Sequence, residues 1–360
     1  MRRRDFFKTA AGAAAGAFVL GRATRRAQAQ AQAPAAGSRR QVMIGGKRVR
    51  VVDVHHHWDM PIPLEVVKGT PYEERAKGPG LEDRIAILDK MGIDTALISV
   101  NDFWWWDIKD QGLAKAICTV HNDTLAKWHQ MHPDRLFGMA SVPLQFPQLA
   151  VDMMQDAVTR QGARCVAVGG HVGGESLSAP KYDMFWAKAT EMGQLVFMHP
   201  NGSANIIKEG GLAGRGGLGN IVGNPLETTV FLSRLIFDGT FDKFPTLKVG
   251  GAHAGGYLPS YLGRTEVACQ RQGQTCIIKK KPSEYMQSNV LADTMVFSEE
   301  GLRHLVAEMG VGQVVFGTDI PFNWPVNVDL IVDSKSLSNA DKEAILGGNL
   351  VRLLKLPSAS

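Results

Sequence analysis

Several features that would assign this chain to a common class of protein are scarce or missing. Only four of its 360 residues are cysteines, and no two form a Cys-x-x-Cys pair, which excludes a zinc ribbon; they are Cys118, Cys165, Cys269 and Cys276. No Gly-x-Gly-x-x-Gly motif follows the first predicted strand, which argues against a dinucleotide-binding fold. Cys269 and Cys276 would be able to pair in an oxidising compartment, but we expect free buried thiols.

A net basic charge is also missing once the N-terminal segment is set apart. The formal charge of the whole chain is +5, but residues 1–33 hold seven arginines and lysines against one aspartate, so residues 34–360 carry −1. The basic character therefore belongs to the first 33 residues, and we expect no nucleic-acid partner.

Residues 1–33 are typical of an export signal. They begin with a twin-arginine run, Arg2-Arg3-Arg4-Asp5-Phe6-Phe7-Lys8, and continue with an apolar segment at 10–20 and Ala-x-Ala cleavage candidates. The apolar segment is too short to span a bilayer, so we predict a cleaved Tat signal and a periplasmic protein without a membrane partner. An amphipathic N-terminal helix is the alternative. We predict a linker at 34–48 and one domain at 49–357.

The rest of the chain alternates strand and helix patterns. Strands are predicted at 50–57, 93–100, 136–143, 163–168, 194–198, 247–252, 290–297 and 313–318. Helices are predicted at 81–91, 114–132, 148–161, 182–192, 226–237, 258–269, 299–309 and 341–354, and glycine-rich loops at 61–80 and 201–223. Eight such units predict a closed (β/α)8 TIM barrel rather than an open doubly wound sheet.

Polar residues that suit metal binding stand at the ends of four predicted strands. His55 and His57 share one face of the first strand, because successive side chains point to opposite faces. His199, His253 and Asp319 end the fifth, sixth and eighth strands. A hydrogen-bonded strand end is the simpler interpretation for any one of them, but five together favour a site at the C-terminal rim of a barrel. Three imidazoles and one carboxylate suit Zn²⁺, and a further histidine would serve as acid and base.

The sequence resembles a known family. It is similar to the amidohydrolase-related superfamily, and within it to the α-amino-β-carboxymuconate-ε-semialdehyde decarboxylase group. The matching stretches follow the family's order and span nearly all of the chain after the signal: Asp53-Val54-His55-His56-His57, Gly170-His171-Val172, Met198-His199-Pro200, Pro225-Leu226-Glu227-Thr228-Thr229, Phe244-Pro245-Thr246-Leu247-Lys248-Val249, Ala252-His253-Ala254-Gly255-Gly256, Gly317-Thr318-Asp319-Ile320-Pro321-Phe322 and Gly348-Asn349.

The resemblance implies roles for individual residues. It implies that one divalent metal ion, Zn²⁺ first and Mn²⁺ second, is bound by four ligands: His55, His57, His199 and Asp319. It implies that His253 is the catalytic acid and base, with Asp319 also taking part in catalysis. The family's bridging carbamylated lysine has no candidate at 163–168, so we expect a mononuclear site.

Substrate contacts follow less directly. The resemblance implies that Arg264 binds a substrate carboxylate, with Arg75 as a positional candidate for a second arginine, and His171 lies in a matching motif. Trp104 opens a run of three tryptophans, which would form either an aromatic wall for a flat substrate or a cap at a subunit contact. After the His-Pro of the fifth strand the decarboxylase has Trp and an acidic residue, whereas this chain has Asn201-Gly202.

The expected function is that of a metal-dependent carboxy-lyase acting on a small aromatic or unsaturated carboxylic acid, through a metal-activated water and His253. The alternative is hydrolysis of a lactone, ester or amide at the same site. An inactive periplasmic ligand-binding protein is a third possibility, but a binder has no need of His253 beside a complete ligand set. We expect a homodimer or higher homo-oligomer.

Overall fold

A parallel sheet of eight strands forms the centre of the protein, and each strand pairs with the next one along the chain. Except for Lys248, all of their residues are buried, as expected for a parallel sheet with both faces covered. The strands are β1 (Val52–Trp58), β2 (Thr95–Val100), β3 (Leu136–Ser141), β4 (Cys165–Val168), β5 (Leu195–Met198), β6 (Lys248–Gly251), β7 (Val290–Asp293) and β8 (Val314–Val315).

The first and last strands of the sheet meet through backbone hydrogen bonds. The N–H of Val54 donates to the carbonyl of Phe316 over 3.0 Å. Further along, the N–H of Asp319 donates to the carbonyl of His55, and the N–H of His57 donates to that of Ile320, both over 2.7 Å. These bonds bring the sheet edges together, consistent with the predicted (β/α)8 barrel.

Helices follow the strands and cover the outside of the sheet. Local chemistry marks where they begin: Asp110 accepts a bond from the N–H of Leu113 ahead of α2, Pro147 opens α3, and Ser298 accepts from the N–H of Gly301 ahead of α7. The helices that correspond to the eight predicted ones are α1 (Arg84–Met91), α2 (Gln111–Met131), α3 (Pro147–Arg160), α4 (Asp183–Glu191), α5 (Asn224–Phe237), α6 (Leu262–Glu266), α7 (Glu299–Met309) and α8 (Asn349–Leu353).

The computed structural model describes residues 39–77, 84–271 and 276–357. The predicted export signal and the first part of the predicted linker lie outside the described residues, as does the start of the helix predicted at 81–91. Residues 43–48 of the linker form a small hairpin, Met43–Ile44 with Lys47–Arg48. Within these ranges, no helix combines the length and the apolar composition that a membrane crossing would need.

Several predicted boundaries were wrong. The loop predicted at 61–80 contains two short helices, Leu64–Val67 and Glu73–Ala76. The strand predicted at 290–297 ends at Asp293, whose carboxylate accepts the N–H of Met295 and turns the chain. The final predicted helix is interrupted by a π-helical turn, Ala344–Gly348, where Gly347 packs so closely on the Arg50 carbonyl that a Cβ would meet it at 2.3 Å.

The cysteine prediction was half right. Cys118 and Cys165 are free and buried, as expected. Cys269 and Cys276, however, are joined in a disulfide. Their Cα atoms lie 5.6 Å apart, the usual separation for a bridge. The helical segment predicted at 258–269 ends in a short 3-10 turn, Ala268–Gln270, which contains Cys269.

Candidate metal centre and active site

Four side chains predicted as metal ligands meet at the C-terminal rim of the barrel. They are His55 and His57 on β1, His199 directly after β5, and Asp319 beyond β8, and one ligand atom from each lies within 4.8 Å of all the others. Oδ1 of Asp319 is 3.1 Å from Nε2 of His55, 3.1 Å from Nε2 of His57 and 3.8 Å from Nε2 of His199. All four residues are buried.

The atoms at this centre have no protein partners that would satisfy them. Nε2 of His55, Nε2 of His57 and Oδ1 of Asp319 are buried without a hydrogen-bond partner of acceptable geometry. An unsatisfied buried polar atom typically costs about 1–3 kcal/mol. One divalent cation bound between these atoms would satisfy them together, and a set of three imidazoles and one carboxylate fits such an ion. The structure thus supports a single divalent metal site.

The opposite nitrogens of the three histidines are each held by a neighbour. Nδ1 of His55 lies 2.6 Å from Asp293, Nδ1 of His57 lies 2.7 Å from Ser99, and Nδ1 of His199 lies 3.1 Å from the Pro200 carbonyl. Such outer contacts orient the rings so that each Nε2 faces the centre. Asp293 and Ser99 were not predicted, although a polar residue at the end of β7 was a signal that the strand prediction passed over.

The charged groups of the cluster shift one another's pKa values. Burial alone lowers the pKa of His55, but the negative charge of Asp319 and the bond to Asp293 outweigh burial and raise this pKa to about 10. Burial lowers the pKa of His57 to about 4, and burial together with the other histidines lowers the pKa of His199. Burial raises the pKa of Asp319, but the charge of His55 and the neighbouring imidazoles hold it far below its usual range. The carboxylate of Asp319 is therefore ionised and the imidazoles of His57 and His199 are neutral, the forms that bind metals, whereas His55 would release a proton when an ion binds.

His253 stands beside the ligand set and outside it. It lies two residues after the end of β6, its Nε2 is 3.6 Å from Oδ2 of Asp319, and 13% of its side chain is exposed. The two carboxylate oxygens of Asp319 therefore face different partners: Oδ1 faces the three ligand histidines and Oδ2 faces His253. This arrangement matches the predicted division between metal ligands and an acid–base residue; the roles themselves stay predictions.

Asp293 holds the backbone of His253 in an unusual conformation. His253 and Ala254 have φ values of 57° and 58°, in the left-handed region that costs a residue with a Cβ about 1–3 kcal/mol. Their N–H groups point at one carboxylate: that of His253 donates to Oδ2 of Asp293 over 3.0 Å, and that of Ala254 to Oδ1 over 2.7 Å. Successive N–H groups in this conformation form an anion-binding concavity. Asp293 thus positions both His55 and His253.

A cavity of about 470 Å³ opens onto His253. Met295, Phe297 and Trp324 contribute much of its apolar wall, and Asn220 and His304 are among its polar residues. This volume lies within the range of small-molecule sites, which are mostly apolar with a few polar groups that orient the ligand.

The predicted substrate-binding residues are less well placed. Arg264 is exposed on α6 and lines a separate surface depression with Phe237 and Tyr261, so within this chain the structure does not bring it to the cavity of His253. His171 lies in a small hairpin, His171–Val172 with Glu175–Ser176, where its Nδ1 accepts a hydrogen bond from the N–H of Gly174 over 2.9 Å.

The tryptophan run divides between rim and core. Trp104 is half-buried beneath the guanidinium of Arg75, 4.8 Å from the ring centre, and Arg75 also lies 3.7 Å from Asp102. Trp105 and Trp106 are buried, and both indoles donate to the Val142 carbonyl. Only Trp104 of this run is therefore open to either of the predicted roles.

Glu227 near the start of α5 is a further buried carboxyl beside the site. Its Oε1 accepts the N–H of Gly170 after β4 and of Asn201 after β5, over 3.1 and 2.9 Å. Burial raises the pKa of Glu227 to about 7 in spite of these bonds. Glu227 therefore ties together the loops that follow two neighbouring strands.

Comparison with known proteins agrees with the geometry. The amidohydrolase family model matches residues 52–356. The chain is 30% identical over 279 residues to the 2-amino-3-carboxymuconate-6-semialdehyde decarboxylase of Dictyostelium discoideum, covering 76% of each chain. It is 28% identical over 333 residues to the gamma-resorcylate decarboxylase of Rhodococcus jostii, covering 85% of this chain and 98% of the relative.

Solved structures give the same result. The 2,6-dihydroxybenzoate decarboxylase from Rhizobium superposes with a TM-score of 0.73 at 26% identity, covering 86% of this chain and 99% of that one. A dihydroxybenzoic acid decarboxylase from Polaromonas, solved with bound manganese and the inhibitor 2-nitroresorcinol, gives a TM-score of 0.73 at 26% identity, covering 86% of this chain and 98% of that one.

Proposed function

Because this chain belongs to the amidohydrolase family, we propose that it is a metal-dependent decarboxylase, a carboxy-lyase, of a small aromatic carboxylic acid. The observation that carries the proposal is the position of His253, which lies beside a complete set of ligand atoms and opens onto an apolar cavity. Relatives named as decarboxylases of aromatic or unsaturated acids support the reaction class.

The residues of the chain divide the work of the reaction. His55, His57, His199 and Asp319 would hold the ion, which when bound supplies Lewis-acid stabilisation of negative charge on substrate oxygens. His253 holds a proton at Nε2 and transfers it to the ring carbon that bears the carboxylate. The bond from that carbon to the carboxylate then breaks and CO₂ leaves. The electron pair of the broken bond stays in the ring. Oδ2 of Asp319 faces Nε2 of His253 over 3.6 Å, and the apolar wall of the cavity keeps water from the carbon.

A panel of acids tests the reaction class. The metal-loaded protein is incubated with hydroxybenzoates, unsaturated dicarboxylates and aromatic esters or lactones, while CO₂ and released acid are measured in parallel. We expect CO₂ from at least one aromatic acid, and much less from His253→Ala. Acid release from esters or lactones without any CO₂ would instead establish the hydrolase alternative.

For the metal we propose zinc, because a nitrogen-rich set of three imidazoles and one carboxylate is typical of zinc sites. Manganese, present in the Polaromonas structure, is the competing ion. Elemental analysis of protein purified without added metal should give about one ion per chain, and His199→Ala should lose metal and activity together. If manganese restores more activity than zinc to protein stripped of its metal, the zinc assignment is contradicted.

We also propose that the protein is exported folded to the periplasm. The twin-arginine run at residues 2–4 supports this, and so does the disulfide between Cys269 and Cys276, since disulfides persist in oxidising compartments. Changing the three arginines to lysine should leave uncleaved protein in the cytoplasm, and normal cleavage of this variant would contradict the proposal.

A homo-oligomer is the remaining proposal. Tyr261 and Val267 are large apolar residues that are 62% and 45% exposed in the single chain and line the same surface depression, and contiguous exposed apolar groups often mark subunit contacts. Light scattering coupled to gel filtration should give at least twice the mass of one chain, whereas a monomer mass at micromolar concentration would contradict this.

A further inference from the structure

Trp324 connects the metal ligand Asp319 with the substrate cavity. Its Nε1 donates to Oδ2 of Asp319 over 3.0 Å, and its ring lines the cavity onto which His253 opens. We propose that Trp324 is a positioning residue for Asp319 and, through its ring face, a specificity-determining residue that favours planar acids. The second part rests on the proposed function, and the first does not.

The indole hydrogen bond of Trp324 differs from others in the protein. The indoles of Trp105, Trp106 and Trp186 donate to backbone carbonyls of buried loops, where they stabilise the fold. The indole of Trp324 instead donates to a carboxylate, Asp319. A bond to an ionised acceptor is roughly twice as strong as a neutral one, and it fixes the orientation of the carboxylate.

The orientation of Asp319 decides which of its oxygens faces the three histidines. A carboxylate can rotate about its terminal torsion, whose energy profile is broad. With Oδ2 held by Trp324, Oδ1 is directed at Nε2 of His55 and of His57, both 3.1 Å away. Without the indole N–H, Oδ2 would keep only its 3.6 Å contact with His253. Outer contacts of this kind typically change metal affinity or activity about 10–100-fold.

The ring of Trp324 is also one face of the cavity wall. Its centre lies 5.4 Å from that of Phe297 with the planes inclined by 42°, so the two rings form one aromatic surface beside His253. Trp324 is only half-buried and Phe297 is 45% exposed, so this surface is free to contact a ligand. Offset stacking between aromatic rings stabilises a contact beyond the area that it buries. A planar acid would gain this contact, and a puckered ring of the same size would not.

Two substitutions separate the two roles. Trp324→Phe keeps an aromatic ring and removes the N–H, whereas Trp324→Leu removes both. Trp186→Phe is the matched control, because Trp186 lies on α4 outside the cavity lining and its indole donates to the Leu177 carbonyl. Circular dichroism checks that each variant is folded.

The positioning role is measured as the rate at which metal-loaded protein loses its ion to excess chelator, with no substrate present. We expect both Trp324 variants to lose metal roughly 10–100 times faster than wild type, and Trp186→Phe to lose it at the wild-type rate. Metal loss from Trp324→Phe at the wild-type rate would refute this role.

The wall role is measured by the dissociation constants of benzoate and cyclohexanecarboxylate, two acids of similar size and different planarity. Wild type and Trp324→Phe should bind benzoate about fivefold more tightly than cyclohexanecarboxylate, from about 1 kcal/mol of stacking. Trp324→Leu should bind them equally. An unchanged preference in Trp324→Leu, or no preference in wild type, would refute this role. Neither measurement needs turnover, so failure of decarboxylation in the acid panel would refute the proposed function separately.

Discussion

Replacement of Asp293 by Asn is the sharpest test of how the site is held together. The Asp293 carboxylate accepts four hydrogen bonds: from His55 Nδ1, and from the backbone N–H groups of His253, Ala254 and Met295. An amide has one oxygen where the carboxylate has two. In Asp293→Asn, two of the four donors would therefore face an NH₂ group.

Either orientation of the new amide harms the site. If the oxygen stays with Ala254 and Met295, the NH₂ group faces Nδ1 of His55, which must then accept a hydrogen bond instead of donating one. The imidazole proton would move to Nε2, the atom aimed at the metal centre. If the amide turns over, two backbone N–H groups lose their acceptor in a buried position, where each costs about 1–3 kcal/mol.

The expected loss follows from the bond to His55. A hydrogen bond to a charged group contributes about 1.5–3 kcal/mol, and 1.4 kcal/mol is tenfold in a binding constant. We expect Asp293→Asn to weaken metal binding by roughly 10–100-fold and to lower the melting temperature. Chelator competition on the stripped protein measures the affinity, and thermal unfolding measures the stability.

Asp53→Asn is the matched control for this variant. Asp53 is equally buried, and its carboxylate bonds to His56, to Thr318 and to the backbone N–H of His55, but to no side chain of the ligand set. It should lose stability with a much smaller change in metal affinity. If Asp293→Asn binds metal within about twofold of wild type, or if both variants lose the same affinity, the positioning argument fails.

Three further predictions concern neighbouring groups. His253→Ala should keep its metal while kcat falls about 10²–10⁴-fold; arrival without metal would make His253 a ligand. Gly317→Ala should release metal without altering any ligand, because a Cβ there would lie 2.8 Å from the His55 Cβ and 2.9 Å from the Asp293 Cβ; unchanged metal content would show that these atoms can shift. Unfolded Glu227 ionises near pH 4.5 and folded Glu227 near pH 7, so its contribution to stability is complete below pH 4.5 and is lost as the pH rises to 7. The unfolding free energy of Glu227→Gln, measured in urea, should therefore rise relative to that of wild type by up to about 3 kcal/mol between pH 4.5 and 8. A difference in unfolding free energy that does not change with pH would contradict the burial argument.

The ligand set could be predicted from the sequence because parallel strands impose it. The C-terminal ends of all strands in a barrel meet at one rim, so residues at strand ends come together however far apart they are in the chain. His55, His57, His199 and Asp319 follow that rule. The fold class followed from the same alternation of patterns, since each apolar run and each helical period is a local property.

The missed residues depend on geometry that no local pattern contains. The contact of Ser99 with His57 requires the register between β1 and β2, and Trp324 reaches Asp319 only through the turn between them. The last predicted strand, 313–318, was too long, because beyond Val315 the backbone makes separate hydrogen bonds to β1 rather than a regular strand ladder. The outward direction of Arg264 depends on how the short helix α6 packs.

The bonds between β1 and the chain beyond β8 have a consequence for the biogenesis of the enzyme. The first and last ligands are separated by most of the polypeptide, so a ribosome must synthesise nearly the whole chain before the metal site can exist. Contacts between such distant segments form slowly, because a long loop must close before they contribute stability. An ion that binds only the closed barrel stabilises it by mass action, and it does so only after the last strand has joined the first. Metal supply in the compartment of synthesis would then govern the yield of folded enzyme as well as its activity.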